Sequence, residues 1–434
     1  MPRITYILLF FLIISLFNLL LIDEKLKPEL QVFLTSPVII DNEKNGYFDL
    51  FGFLAPLDKI PNQFGFEQIK AWKTAIEHNN PDPFPITKLP DVKRIENLCV
   101  IKEKIDLNWC REYSSQIIEL TKIYQPWLTR YTSLVQKKMY IQPVFDSLPS
   151  LPVSSIISVQ RLYHAKLLVN YFKGNYKTTL KSLFIELTFN KMQLTQSSTL
   201  LNKKRAMFLF YNTLNLYSQL LDISKPSVEL VDTINNISLS QKEWGVSSLI
   251  NGQLQLTTKM LLQLKKTCLI ENNECPYFSF IERHVFFKKN ALANFNYQLI
   301  NKGMNYDKLS IDALAKKYNI KRKKSSWNYF DIIFNFSKVY IQIWDVTLNE
   351  ALEYRFLNGL ITLLKLKAQL RSKDIELTQV NTFLELHQKS YSGLFKDHPI
   401  QWDKQKQIIF YTAPKVLELR YNKLFQQLDL KFND

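Results

Sequence analysis

Proline is spread unevenly along this chain, and that distribution constrains the fold more than any other feature of the sequence. Eight of the seventeen prolines fall between Pro28 and Pro90, whereas only Pro226 and Pro276 lie between Val153 and His398. A proline ring removes a backbone N–H and clashes with the preceding helical turn, so helices of any length must lie where prolines are scarce. The middle of the chain is therefore free to form long helices, and the first hundred residues are not. Glycine points the same way. The chain has 9, where average usage of about 7% would give roughly thirty. So few positions suited to positive φ weigh against Gly-rich nucleotide loops, sharp nucleophile turns and large β-barrels.

Apolar periodicity fills in the helices. Residues 23–108 read as an irregular, proline-punctuated segment. Even so, Asn45 to Pro56 (NGYFDLFGFLAP) is too rich in apolar residues for a free linker and is expected to pack on the rest. Gly65 to His78 reads as one short helix with Ile69, Trp72 and Ile76 on a common face. From Trp109 the spacing is helical through Ile117, Leu120, Ile123, Trp127, Leu128, Tyr131 and Leu134, with an interruption at Pro126. Val159, Tyr163 and Leu167 then share a face, Gly174-Asn175-Tyr176 makes a turn, and Leu180, Leu183 and Leu187 resume beyond it. This predicts an α-hairpin. The hairpin is similar to a tetratricopeptide unit, although Leu167 and Thr179 stand where small residues would let two helices touch. No second copy follows at a period of roughly 34 residues, so a repeat array is not predicted.

Further amphipathic helices are expected over Asn202 to Leu221, over Gln241 to Lys266 as the longest outside the N-terminus, and over Leu348 to Leu370. A short helix over Leu377 to Leu386 follows. Thereafter the period changes to two: His398 to Tyr411, Val416 to Tyr421 and Leu428 to Phe432 alternate as strands do, predicting a small antiparallel sheet of three or four strands. A C-terminal helix is the competing assignment. The predicted organisation is an anchor over 1–22, the irregular segment 23–108 packed on the body, a helical domain 109–305, and a C-terminal helical region 306–434 ending in the sheet. The fold class is mainly α, a membrane-anchored, hairpin- or solenoid-like multi-helix body with a small antiparallel β element at the C-terminus.

The anchor is the run Ile4 to Ile22, which carries no charge and one amide, Asn18. Its length matches the roughly twenty residues that a helix needs to cross a bilayer. Arg3 precedes it, and Leu-Leu-Leu-Ile-Asp-Glu-Lys follows, with no small residues of the kind a cleavage site needs. An uncleaved single-pass anchor is expected, with its N-terminus in the cytoplasm and the body outside, in the periplasm of a bacterial inner membrane. Four cysteines in two local pairs, Cys99 with Cys110 and Cys268 with Cys275, suit disulfides in such an oxidising compartment. Each loop closure would stabilise by about 2–3 kcal/mol on the chain-entropy account. The pair spacings fit a four-thiolate metal site poorly, because such sites use C-x2-C pairs.

Catalytic signatures do not emerge. The five histidines, His78, His164, His284, His387 and His398, form no H-E-x-x-H pair, and each is read as a surface or half-buried structural residue. There is no G-x-S-x-G, no P-loop and no Glu-Ser dipeptide of the kind helical cell-wall lytic enzymes place at their acid. No catalytic residue, cofactor or metal is assigned. A net charge of +17 favours anionic lipids, cell-wall polymers or an acidic partner. Ser310 to Ile320 reads like the first half of a helix-turn-helix, and Lys316, Lys317, Lys321, Arg322, Lys323 and Lys324 place six cations within nine residues. No amphipathic recognition helix follows at the right distance, so nucleic acid is a poor fit; the run is a solvated loop or a patch for an anionic envelope surface.

The segment from Arg355 to Arg371, with Gly393, Pro399-Ile400-Gln401-Trp402-Asp403 and Ile408 to Tyr411, resembles the end of an uncharacterised family of single-anchor bacterial envelope proteins. Phe287-Lys288-Lys289-Asn290-Ala291 and Asn45-Gly46-Tyr47 resemble it too. The resemblance implies the topology and a mostly helical architecture, and it brings no chemistry. The expected role is a non-catalytic, membrane-anchored periplasmic scaffold or adaptor for an envelope assembly such as a secretion or pilus apparatus, with an envelope protein as partner. The alternatives are a cell-wall or lipid-modifying hydrolase with a non-standard site, and a binder of an anionic envelope polymer or lipid.

Overall fold

A computed structural model of the chain describes residues 25–34, 43–77, 100–101, 104–105, 107–143, 151–223, 226–240, 355–391, 399–411 and 427–429, with single positions at 243, 252, 255, 294, 297, 309, 313, 314 and 316. The apolar run 4–22, the expected helix 241–266 apart from isolated residues, and the alternating stretch 416–421 lie outside them. Among the described residues no helix is long and apolar enough to cross a membrane.

The architecture is mainly helical, with a small antiparallel sheet. Three helices lie in the stretch that composition marked as irregular: α1 (Pro28–Leu34), α2 (Gly46–Phe51) and α3 (Pro61–Glu77). Prolines punctuate this segment without preventing helices, because Pro28 and Pro61 occupy the first helical position, where no N–H is needed. A strand pair, β1 (Val100–Ile101) with β2 (Lys104–Ile105), precedes α4 (Leu107–Glu112), α5 (Ser114–Ile123) and α6 (Gln125–Val135). The break between α5 and α6 falls at Tyr124, and Pro126 sits in the first turn of α6.

The predicted hairpin is present as α7 (Val153–Phe172) and α8 (Tyr176–Gln196). Gly174 adopts φ 90°, and the Gly174 and Asn175 amides donate to the carbonyls of Tyr171 and Asn170, closing α7 with a left-handed glycine. Thr179 and Leu167 meet across the hairpin, where the threonine Oγ1 donates to the leucine carbonyl at 3.3 Å. Helix α9 (Leu200–Ile223) follows, then α10 (Val228–Asn235), whose Ser227 cap accepts from the Leu230 amide.

Helix α9 is amphipathic as expected: Ala206, Leu209, Phe210, Thr213, Leu214, Leu216, Tyr217, Leu220 and Leu221 are buried along one broad face, while Leu201, Lys204, Phe208, Asn212, Asn215 and Gln219 lie exposed or half-buried along the other. Helix α7, by contrast, is buried nearly all round, touching α4, α5, α6, α8 and α9. An apolar stripe marks a helix at a surface, as in α9; α7 is interior, covered on nearly every side.

The C-terminal part adds the helical residues 355–372 (α11), a 3-10 turn (Leu377–Gln379), α12 (Val380–Tyr391) and strands β3 (Ile400–Asp403), β4 (Ile408–Tyr411) and β5 (Gln427–Asp429). The strands form an antiparallel sheet in the order β3-β4-β5, with Trp402 opposite Ile409 and Ile409 opposite Leu428. The β3–β4 turn is set by Asp403, whose Oδ1 accepts from the Gln405 and Lys406 amides. One apolar cluster runs from Tyr47 through α7, α8 and α9 to Tyr411, so the sheet and the N-terminal helices share a core.

Candidate functional site

Polar groups buried in this core are the residues that need explaining, since each must be hydrogen-bonded or destabilise the fold. The densest cluster centres on Glu186 of α8, which is 0% exposed. Its Oε1 accepts from the Tyr131 hydroxyl of α6 at 2.6 Å and from Gln160 Nε2 of α7 at 2.7 Å, and its Oε2 lies 2.8 Å from His164 Nε2. Gln160 also donates to the Leu209 carbonyl of α9 and accepts from Asn212 Nδ2 at 2.9 Å. Burial, then the Glu186 carboxylate, pushes the Tyr131, Tyr163 and Tyr217 hydroxyls well above their ordinary range, which keeps all three neutral.

The local reason for this convergence is helical spacing. Gln160 and His164 are one turn apart on α7, and Glu186 stands on the α8 face that carries Leu183 and Leu187. A carboxylate facing a histidine at 2.8 Å has the composition of an acid–base pair. Here both members are closed off, at 0% and 1% exposure, and both oxygens of Glu186 are occupied. The arrangement fastens α6, α7, α8 and α9 to one another. His164, read from sequence as a surface or half-buried residue, is instead in the centre of the core, because the helix bearing it is covered on all sides. His387, half-buried on α12, stacks on Phe383 with centroids 4.2 Å apart. The other three histidines lie outside the described residues.

Two further polar clusters tie elements together. Asn45 caps α2 at the Tyr47 amide and bonds both the amide and the carbonyl of Ile141, while Asn62 of α3 bonds the Asn45 carbonyl and Asp49 Oδ2. Lys367 of α11 pairs with Asp222 at 2.8 Å and donates to Ser218, and Arg371 Nε donates to the Leu221 carbonyl at the end of α9. Cations there complement the negative end of the helix dipole.

Of the residues singled out in the sequence, Cys110 is fully buried in α4 and is not a free thiol. Cys99, Cys268 and Cys275 lie outside the described residues, as do Lys317, Lys321, Arg322, Lys323 and Lys324. Lys316 is exposed. Among the described residues no group of three or more histidines, cysteines or acidic residues is placed to hold a metal ion. Sequence reasoning missed Glu186, Gln160 and Arg205. The available signal was polar residues at helical spacing on a leucine-bearing face, as at Glu186, Asn190 and Gln193 of α8.

The fold and these clusters define a mainly helical protein with an interior helical hairpin and a small β cap. No family model, no curated protein and no solved structure matches the chain.

Proposed function

We propose that this chain is a single-anchor envelope protein whose helical body stands outside the cytoplasm as a non-catalytic scaffold or adaptor. The observation that carries the reading is Glu186. Among the described residues, the acid–base cluster built across α6, α7 and α8 has both Glu186 oxygens engaged internally and fastens these helices to one another. A helical body fastened in this way, with apolar residues left on its surface (Leu57, Ile60, Val228 and Leu386), is suited to holding a partner. The apolar run 4–22 and the paired cysteines supply the location: a membrane-tethered body in an oxidising compartment, with disulfides Cys99–Cys110 and Cys268–Cys275.

Site-specific photocrosslinking in intact cells tests it. A photoreactive residue is placed in turn at Leu57, Val228 and Leu386 of the full chain. The expected result is a discrete crosslink to an envelope protein from one of these faces, lost when neighbouring apolar residues are made charged. Crosslinks to lipid alone from every face, or release of soluble fragments when the purified chain meets cell wall or lipid, would replace the adaptor reading with the anionic-surface or hydrolase alternative.

A further inference from the structure

A fourth buried cluster, beside the α2–α8–α9 junction, is not satisfied as the first is. Arg205 of α9 is 3% exposed, and its Nη2 donates to Gln193 Oε1 at 2.8 Å and to the Tyr140 hydroxyl at 3.2 Å. Its Nε and Nη1 have no hydrogen-bond partner. A guanidinium carries five N–H bonds, so three of Arg205's are unused, one on Nε and two on Nη1. The residues around it add donors. Asn190 Nδ2 and the Tyr47 hydroxyl are buried without a partner, although Asn190 Oδ1 is engaged by Gln193 Nε2 at 3.1 Å. Ser197 Oγ, one turn beyond Gln193 on α8, is buried and unpartnered too.

The charge balance is as uneven as the donor count. Among the described residues the buried carboxylates are Asp49 and Glu186. Asp49 pairs with Lys137 at 3.2 Å, and Glu186 is taken up by Tyr131, Gln160 and His164. Arg205 has no ion pair among the described residues. Tyr47 does not supply the missing charge: burial, and then Tyr140, pushes its hydroxyl far up against the opposing pull of Arg205, so it stays neutral. An unpaired buried cation destabilises a fold by several kcal/mol. Water would satisfy the donors and leave the charge; an anion answers both.

We propose that Arg205, with Asn190 and Tyr47, forms a buried receptor for one small monovalent anion of the chloride or monocarboxylate kind. Monovalent follows from the single uncompensated charge, and small follows from burial of every donor. The site goes beyond the adaptor reading and does not depend on it. Its occupant locks α2 and the loop carrying Tyr140 onto the α8–α9 junction.

The test is thermal unfolding of the purified full chain in an uncharged detergent, at fixed ionic strength. Sodium gluconate is the reference salt, too bulky to enter, and it is replaced stepwise by chloride, formate or acetate. A saturable rise in the midpoint is expected, roughly 3–5 °C at a hundredfold excess over Kd. A response to chloride alone marks an inorganic ion as the source. A stronger response to formate or acetate marks a carboxylate. Arg205→Met is expected to abolish the response. Asn190→Asp places a fixed negative charge at the site and keeps the bond from Gln193, so its midpoint in gluconate rises above that of the native chain and its anion response disappears. A native chain unmoved by all three anions, or a full response in Arg205→Met or Asn190→Asp, overturns the proposal.

Discussion

At the scale of single residues, polar side chains fix how the helices meet. Glu186 accepts from Tyr131 and Gln160 and faces His164 Nε2, and none of the four groups has water to turn to. Replacing it with alanine would leave the Tyr131 hydroxyl, the Gln160 amide and the His164 ring buried and unmatched. Glu186→Ala is therefore expected to lower unfolding free energy by about 3–5 kcal/mol, measured by urea denaturation, with Glu186→Gln losing less because its carbonyl oxygen still accepts. A loss under about 1 kcal/mol in the alanine variant would show that the cluster does not hold the helices. The sequence made Glu186 visible only as one acidic residue in a leucine-rich helix. Its partners are 22 to 55 positions away, and no local pattern joins residues at that separation.

At the scale of elements, two kinds of glycine do different work. Gly174 ends α7 at φ 90° with open space around its missing Cβ, so its role is backbone conformation alone. Gly52 and Gly65 sit where α2 and α3 meet. A Cβ on Gly65 would lie 2.1 Å from the Phe48 carbonyl oxygen, and one on Gly52 would lie 1.9 Å from that of Pro61. Main chain cannot step aside as a side chain can. Gly174→Ala should thus cost about 1 kcal/mol. Gly65→Ala should cost about 3 kcal/mol or more, by separating two backbones that now touch. Equal losses in the two variants by urea denaturation would contradict this distinction. The turn at Gly174 was legible from its neighbours in sequence, Gly-Asn between two periodic helices. The close contact of α2 with α3 was not, because it depends on where a second backbone passes.

At the scale of the whole molecule, the apolar cluster does not stop at the composition changes along the chain. It includes Tyr47 and Phe48 of α2, the hairpin, Phe356 to Leu370 of α11, and Ile409 and Tyr411 of β4. Lys367 and Arg371 fasten α11 to the last turn of α9, and burial places the β cap against the same core. Parts that share one core unfold together. Helix loss followed by far-ultraviolet circular dichroism and burial followed by tryptophan fluorescence should accordingly trace the same urea transition. Trp127 reports from the N-terminal side of that core and Trp402 from the β cap. Two resolved transitions would mean that the cap is an independent unit.

The sequence by itself determined the local periods: helix from Trp109 onward, the hairpin turning at Gly174, and the change to alternation near His398. Those follow from side-chain spacing and from proline and glycine chemistry, which act over a few residues. Tertiary structure alone decided which helices are interior. Helix α7 is covered nearly all round, so its spacing names no outward face, and only its neighbours settle what is covered. For the same reason the sealing of Glu186 and the stranding of Arg205 had to come from the fold. Burial belongs to the elements packed around a residue, and a side chain's chemistry changes with it while its letter in the sequence does not.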